Sequence, residues 1–385
     1  MTIIGLILSW IFSLLLGVLT LSMFLTRNYK RGAILLAAAL LLLPPIQTLI
    51  KNQTGNMISP LISAIGAIAL VGIFGWSMSR EEKTSIYFTP GARARMMEIY
   101  DSKLAQWPTP FESRFVDTSY GKIHVIISGP EDGPAVLLLN AGQMAGWSWM
   151  TNAGALNEQY RTYAIDTIGE PGRSELKDIR RFPQNGKDLS ELLLEITDAL
   201  GIEKSCVVGA SNGGFMAANY AIYHPERIEK MALLGPMGLT PSTNENIVRI
   251  TLAQLFPLRP IQNSTLHWAF GKDPELMAQI EDWFRLVMNG TAPQQTPPKT
   301  MAAEELQKVG VPTLLVIGTQ DNLMGDLAAV KELASNLPGI EIKEIEAGHL
   351  MGMEKPEVCN KLILDFFKNS IPELEKEVDH TTSLD

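Results

Sequence analysis

Apolar positions follow two unlike patterns along this chain. Up to about residue 80 they form long, nearly unbroken runs; beyond it they form short runs separated by polar turns rich in Gly and Pro. No Asp, Glu, Lys, Arg or His lies within residues 2–25, 33–50 or 57–78. A bilayer core is crossed by roughly 20 apolar residues. The runs therefore predict an all-α transmembrane anchor over residues 1–80, with two or three helices according to whether Pro44-Pro45 makes the middle run re-entrant. A cleaved signal peptide is not expected, because no basic segment precedes the first run and two more runs follow it. Arg27, Lys30 and Arg31 lie between the first and second runs, Lys51 between the second and third, and Arg80, Lys83, Arg93 and Arg95 after the third. With three spans, this asymmetry puts the large C-terminal part on the cytoplasmic side of a cell membrane; with two, it changes sides. The lack of intramembrane charge disfavours an ion-coupled transporter.

Past the anchor the period changes. Residues 91–107 read as an amphipathic helix with Met96, Met97, Tyr100, Leu104 and Trp107 on one face, more readily packed on the domain than laid on a membrane. Strands are predicted at 114–118, 122–128, 135–139, 161–165, 205–209, 230–234, 313–317 and 340–345. Helices are predicted at 147–159 and 186–200, after the strand at 205–209, and at 355–368. Such alternation implies an α/β domain over residues 91–370, with a doubly wound, mainly parallel sheet. Residues 238–300 break the rhythm with helical pieces at 244–256, 262–270 and 274–288, and are expected to form a lid. Within it His267 is placed to reach a substrate, and Trp268, Phe270, Trp283, Phe284 and Met288 either line an apolar pocket or hold the lid together. The polar, acidic tail at 371–385 is expected to be disordered.

Composition adjusts this picture in three places. Of 385 residues, 46% are hydrophobic and 19% charged, an apolar bias concentrated in the anchor. The net charge of −9 and the lack of a basic stripe exclude nucleic acid as an expected partner. Cys206 and Cys359 suggest neither a disulfide framework nor a metal site, and Cys206 reads as a buried strand thiol.

The chemistry concentrates where strands end. Gly209-Ala210-Ser211-Asn212-Gly213-Gly214 joins an apolar strand to a helix, the context in which G-x-S-x-G makes a strained turn that presents its serine. Asp321 follows the strand at 313–317, and His349 follows the strand at 340–345. In parallel sheets ligands bind at the carboxyl ends of the strands, so all three side chains are expected on one rim, in the order Ser, Asp, His. The hydroxyl is a poor nucleophile until His349 takes its proton, while Asp321 fixes the imidazole tautomer. Amide donors for an oxyanion are expected from Asn212 and from the loop after the third strand, at Gly142 with Gln143 next to it. The other histidines fit less well. His124 sits inside a strand, His224 ends a helix, and His380 is in the tail. Asp166 precedes the serine and suits a structural turn, and Glu170, Glu346 and Asp326 are expected to be solvated.

With these residues assembled, residues 100–368 resemble the α/β-hydrolase fold family, and most of all its bacterial carboxylesterase-like members. The likeness rests on the 209–214 turn, on Asp166 to Ser174, on Gly318-Thr319-Gln320-Asp321 and on Gly348-His349. It implies a Ser–Asp–His triad at Ser211, Asp321 and His349; a carboxylic ester is the expected substrate, with no cofactor, and the anchor and apolar lid add the expectation that this ester is small or lipid-like. One departure is visible: the family usually has His-Gly after the third strand, where this chain has Asn140-Ala141. Asn140 favours one alternative, a catalytically silent scaffold that binds a partner; another acyl-transfer or C–C hydrolase activity on the same triad is a second.

Overall fold

A computed structural model describes residues 10–17, 20, 29–43, 66–70, 85–179, 181–239, 249, 253, 258–271 and 273–368. Of the expected spans, residues 10–17 and 20 of the first, 33–43 of the second and 66–70 of the third are described; the remainder of each, and the tail at 371–385, lie outside the described residues. Within them, α1 (Tyr29–Leu42) is 14 residues long. Among the described residues no helix is long and apolar enough to cross a membrane.

The α/β part begins with α2 (Pro90–Leu104), whose first turn is capped by the Thr89 hydroxyl accepting from the Ala92 N–H. That capping satisfies one of the otherwise orphaned amides of the first turn. Met96, Tyr100 and Leu104 bury their side chains, so this helix packs on the domain. The strands are β1 (Phe111–Asp117), β2 (Gly121–Ser128), β3 (Ala135–Leu139), β4 (Arg161–Ile165), β5 (Glu175–Leu176), β6 (Ser205–Ala210), β7 (Ile228–Leu234), β8 (Thr313–Gly318) and β9 (Glu341–Ile345). Between and after them run α3 (Met150–Leu156), α4 (Gly186–Ala199), α5 (Asn212–Tyr223), α6 (Arg259–Phe270), α7 (Pro274–Gly290), α8 (Leu327–Ala334) and α9 (Pro356–Lys368).

The sheet is mixed but mostly parallel, in the order β1-β2-β4-β3-β6-β7-β8-β9, with β5 paired to β2. Among these described strands only the pairings of β2, with β1, β4 and β5, are antiparallel. Alternation within a strand decides which layer each side chain joins. Leu137, Leu139 and Val207 pack with α4, α5 and α8 on one face, and Val136, Leu138 and Val208 with α2, α3, α7 and α9 on the other. Both faces are covered, so the central strands are apolar throughout. From β3 the chain proceeds to β4 on one side, whereas from β6 it proceeds to β7 on the other. Connections that leave in opposite directions open a crevice at the carboxyl ends of β3 and β6.

The expected helix over 147–159 is a 3₁₀ turn, Gly146–Trp149, followed by the shorter α3. In the lid, α6 and α7 match two of the three expected helices, while 244–256 lies outside the described residues except for Arg249 and Ala253. The segment after α7 is pinned to the domain: the Gln294 N–H donates to the Gly169 carbonyl at 2.7 Å and the Thr296 hydroxyl to the Pro183 carbonyl at 2.6 Å.

Candidate active site

Three glycines permit the turn after β6. A Cβ on Gly209 would meet the Gly213 carbonyl oxygen at 2.5 Å, one on Gly213 the Leu139 carbonyl at 2.1 Å, and one on Gly214 the Pro236 side chain at 2.6 Å. Strand, turn and helix are thus packed backbone to backbone. Ser211 adopts φ 51°, a left-handed conformation costly for a side-chain-bearing residue. It is held there from both ends. Its N–H donates to Leu234, and its carbonyl accepts from Gly214, Phe215 and Met237, over 2.9–3.2 Å.

The rim assembles as the strand ends require. His349 Nε2 lies 2.7 Å from Ser211 Oγ, and His349 Nδ1 lies 2.7 Å from Asp321 Oδ2. All three residues are buried. The other Asp321 oxygen accepts from the Leu323 and Met324 N–H groups at 2.9 and 3.1 Å, which fixes the carboxylate. The Gly348 N–H donates to Glu354 at 2.7 Å and steadies the loop carrying His349. Such an arrangement can move a proton from the hydroxyl to the imidazole while a carboxylate stabilises the resulting cation.

Beside the serine, the backbone of Gly142 runs close to the elbow. A Cβ there would lie 3.5 Å from the Asn212 Cβ and 2.4 Å from the Gln295 amide nitrogen, so a larger residue would push the end of the Gln295 side chain aside. Among the described residues neither the Gly142 nor the Asn212 N–H has a hydrogen-bond acceptor, which leaves both free for an oxyanion. The Gln143 N–H is already taken up: it donates to Glu170 Oε2 at 2.5 Å. Asn140, standing where the family has His, donates from its amide to the Met144 carbonyl at 2.9 Å and so closes the loop on itself.

Two expectations are corrected. Glu170, expected to be solvated, is 2% exposed, and its Oε1 accepts from the Asn212 side-chain amide at 3.3 Å. Burial pushes its carboxyl up to about 8, against the pull of the Gln143 and Asn212 hydrogen bonds. Trp283, a candidate pocket residue, has no exposed surface; its indole donates to the Gln143 carbonyl at 2.8 Å and meets Trp147 edge-on at 5.3 Å. This large ring on an amphipathic helix is drawn into the core against α2 rather than toward substrate. Trp268 stacks under Arg249 at 5.1 Å and its carbonyl accepts from Asn322; the His267 carbonyl accepts from Gly271. Among the described lid helices Phe270 reaches the rim, stacked on the His349 ring at 6.4 Å and on Phe284 at 4.8 Å. A narrow cleft behind His349 is lined by Met144, Trp149, Ala210, Leu234 and Met353.

Other side chains behave as their positions suggest. His124 is buried, and Asp166 is structural: its carboxylate accepts from the Gly146 and Arg173 N–H groups at 2.7 and 2.8 Å. Burial pushes the Cys206 and Cys359 thiols up to about 12, leaving them unreactive. Sequence reasoning missed Glu170 and Gln295. Glu170 had a signal, since it follows Gly169 in the turn at the carboxyl end of β4; Gln295 had none.

Fold and rim together define an α/β hydrolase with a serine at its nucleophile elbow. Residues 134–260 match the protein family described as alpha/beta hydrolase fold. Carboxylesterase YbfK of Bacillus subtilis is 30% identical over 285 residues, which cover 72% of this chain and 95% of that one. The crystal structure of naproxen esterase from the same species superposes with a TM-score of 0.65 at 30% identity, over 71% of this chain and 97% of that one. The chain belongs to the α/β-hydrolase fold family.

Proposed function

We propose that this protein hydrolyses carboxylic esters through an acyl-enzyme on Ser211. His349 takes the hydroxyl proton as Ser211 attacks the carbonyl carbon, and returns it to the departing alcohol. Water repeats the cycle in reverse and releases the acid. Asp321 holds the imidazole, and the free Gly142 and Asn212 N–H groups receive the oxyanion, each worth roughly a hundredfold or more in rate. The observation that carries this reading is the unbroken Ser211–His349–Asp321 relay, with both links at 2.7 Å; the carboxylesterase relatives support it independently.

The ester is small or lipid-like, and the protein sits on a membrane, with its catalytic half on the cytoplasmic side if the anchor spans three times. Supporting this are the three uncharged runs and the apolar side chains of Trp10, Ile11, Phe12, Leu14, Leu15, Leu36, Leu40 and Ile68, all exposed. A carbonate wash of cell membranes tests the anchor: release of the protein into the supernatant would refute it. A series of p-nitrophenyl esters of increasing acyl length tests the substrate, with the highest kcat/KM expected at medium or long chains. Ser211→Ala tests the chemistry and is expected to abolish turnover.

A further inference from the structure

We propose that Glu170 is a positioning residue for the hydrolysis, a carboxyl clamp that ties the turn at Gln143 to the elbow at Asn212 and so sets the spacing of the two oxyanion amides. This rests on the ester hydrolysis proposed above. Gln143 and Asn212 lie on different crossovers, after β3 and after β6, and Glu170 comes from a third, after β4. Its two oxygens are shared between them: Oε2 accepts from the Gln143 N–H at 2.5 Å, and Oε1 meets the Asn212 amide at 3.3 Å. Gln143 stands at φ 63°, left-handed for a residue other than glycine. Such a conformation persists only when its surroundings over-determine it. Here one end of Gln143 is held by Glu170 and the other by the Trp283 indole on its carbonyl. Gly142, whose N–H is free, directly precedes this pinned residue.

The clamp works with its proton on. Among the described residues no cation is bonded to Glu170. Arg93 and Glu175, across the adjoining cavity of about 250 Å³, pair with each other at 3.0 Å. On the loop of Glu170 itself, Asp166 is bonded to His124, and Arg173 pairs with Asp101. Tyr87 is bonded to Gly172. The rim groups His349 and Asp321 are bonded to each other. A buried carboxylate without a cation is costly, and burial raises Glu170 to about 8 despite its two hydrogen bonds. The protonated form keeps one oxygen for the Gln143 N–H. Its O–H can donate to the Asn212 side-chain oxygen after a half-turn of that amide, and this oxygen is otherwise buried without a partner. Ionisation sets a full negative charge beside the place where the oxyanion forms, which opposes the transition state.

The test is the pH profile of kcat from about pH 6 to about pH 10, with an ester whose leaving group does not titrate in that range. The native protein should lose turnover on the alkaline side with a midpoint near about 8. Glu170→Gln, which can still accept from Gln143 and donate to Asn212, should lose that alkaline limb. Glu170→Ala should lower kcat about tenfold or more at every pH, with KM little changed, and the Gln variant should recover most of that loss. An alkaline limb that survives in Glu170→Gln, or a native kcat in Glu170→Ala, overturns the proposal. If the variants do not fold, infrared spectra of the native protein labelled with ¹³C-glutamate decide. A protonated carboxyl band at neutral pH that disappears above about pH 9 is expected, and its absence at neutral pH overturns the clamp. Fluorophosphonate labelling of native Ser211 is read in parallel. No label and no ester turnover would sink the hydrolase reading itself, whatever the glutamate band does.

Discussion

Among the described residues two Ser–His–Asp chains are linked by hydrogen bonds, and one of them is placed to do chemistry. On the rim, Ser211, His349 and Asp321 are linked at 2.7 and 2.7 Å. Between β1, β2 and β4, Ser113 Oγ lies 2.5 Å from His124 Nε2, and His124 Nδ1 lies 3.1 Å from Asp166 Oδ2. Residue types and order of contact are the same. The difference is in what surrounds them. Ser211 stands on a strained turn beside two unoccupied amides, where the sheet opens a crevice. Ser113 stands on an exposed edge strand, with Arg173 also donating to its hydroxyl. Asp166 is further engaged by Gly146, Arg173 and Tyr100, so the second chain fastens α2, β2 and the turn that carries Glu170 to one another. A triad is thus a matter of location: the same hydrogen bonds are a proton relay beside free amides and a structural staple on an edge strand.

Substitutions in the two chains should separate these roles. Ser211→Ala should cut turnover by about a thousandfold or more and abolish fluorophosphonate labelling, with thermal unfolding unchanged. Unaltered turnover would dissolve the distinction. Asp321→Asn should follow at roughly a thousandfold or more in kcat, because the amide favours the wrong imidazole tautomer, with little change in denaturant midpoint. Asp166→Ala should do the reverse. It leaves His124 and two backbone amides buried without their acceptor and should cost about 3–5 kcal/mol in urea unfolding, and a native midpoint would show that the staple carries no load.

Glu170 gives an effect of intermediate size with a definite sign. Its carboxyl is raised from the ordinary 4.5 to about 8 in the folded protein. Between those values the unfolded chain has released the proton while the folded chain still holds it. Stability should therefore fall as pH rises through this window and level off above it, by on the order of 5 kcal/mol in total. The comparison is the unfolding free energy of native and Glu170→Gln protein at pH 5 and pH 8; a parallel dependence in both would rule out the buried acid. Smallest is Ser113→Ala, expected to leave kcat within about twofold and to lower stability by about 1 kcal/mol for a lost hydrogen bond.

Much of the rim is legible in the order of residues. Each relay residue follows an apolar strand, and period and strand order alone send such positions to one edge of a parallel sheet. The glycines around Ser211 announce a turn that no larger residue permits. An acidic residue next to Pro171 in a glycine-containing turn reads as solvated, and Glu170 is not, because three crossovers close over it and remove the water. For Trp283, amphipathic spacing shows that one face of α7 is buried but not what it is buried against. The pairing of β5 with β2 leaves no mark in the pattern, since two residues carry no period.

The alternating α/β order, the elbow at Ser211 and the succession of Ser, Asp and His follow from the amino-acid order, because they depend on local period, on chirality and on backbone space. Packing in three dimensions settles the rest: which of two Ser–His–Asp chains sits beside free amides, which amide of the β3 loop is left unbonded, and that Glu170 lies out of water. Those outcomes depend on contacts between segments distant along the chain, and neither spacing nor composition records where one crossover settles upon another.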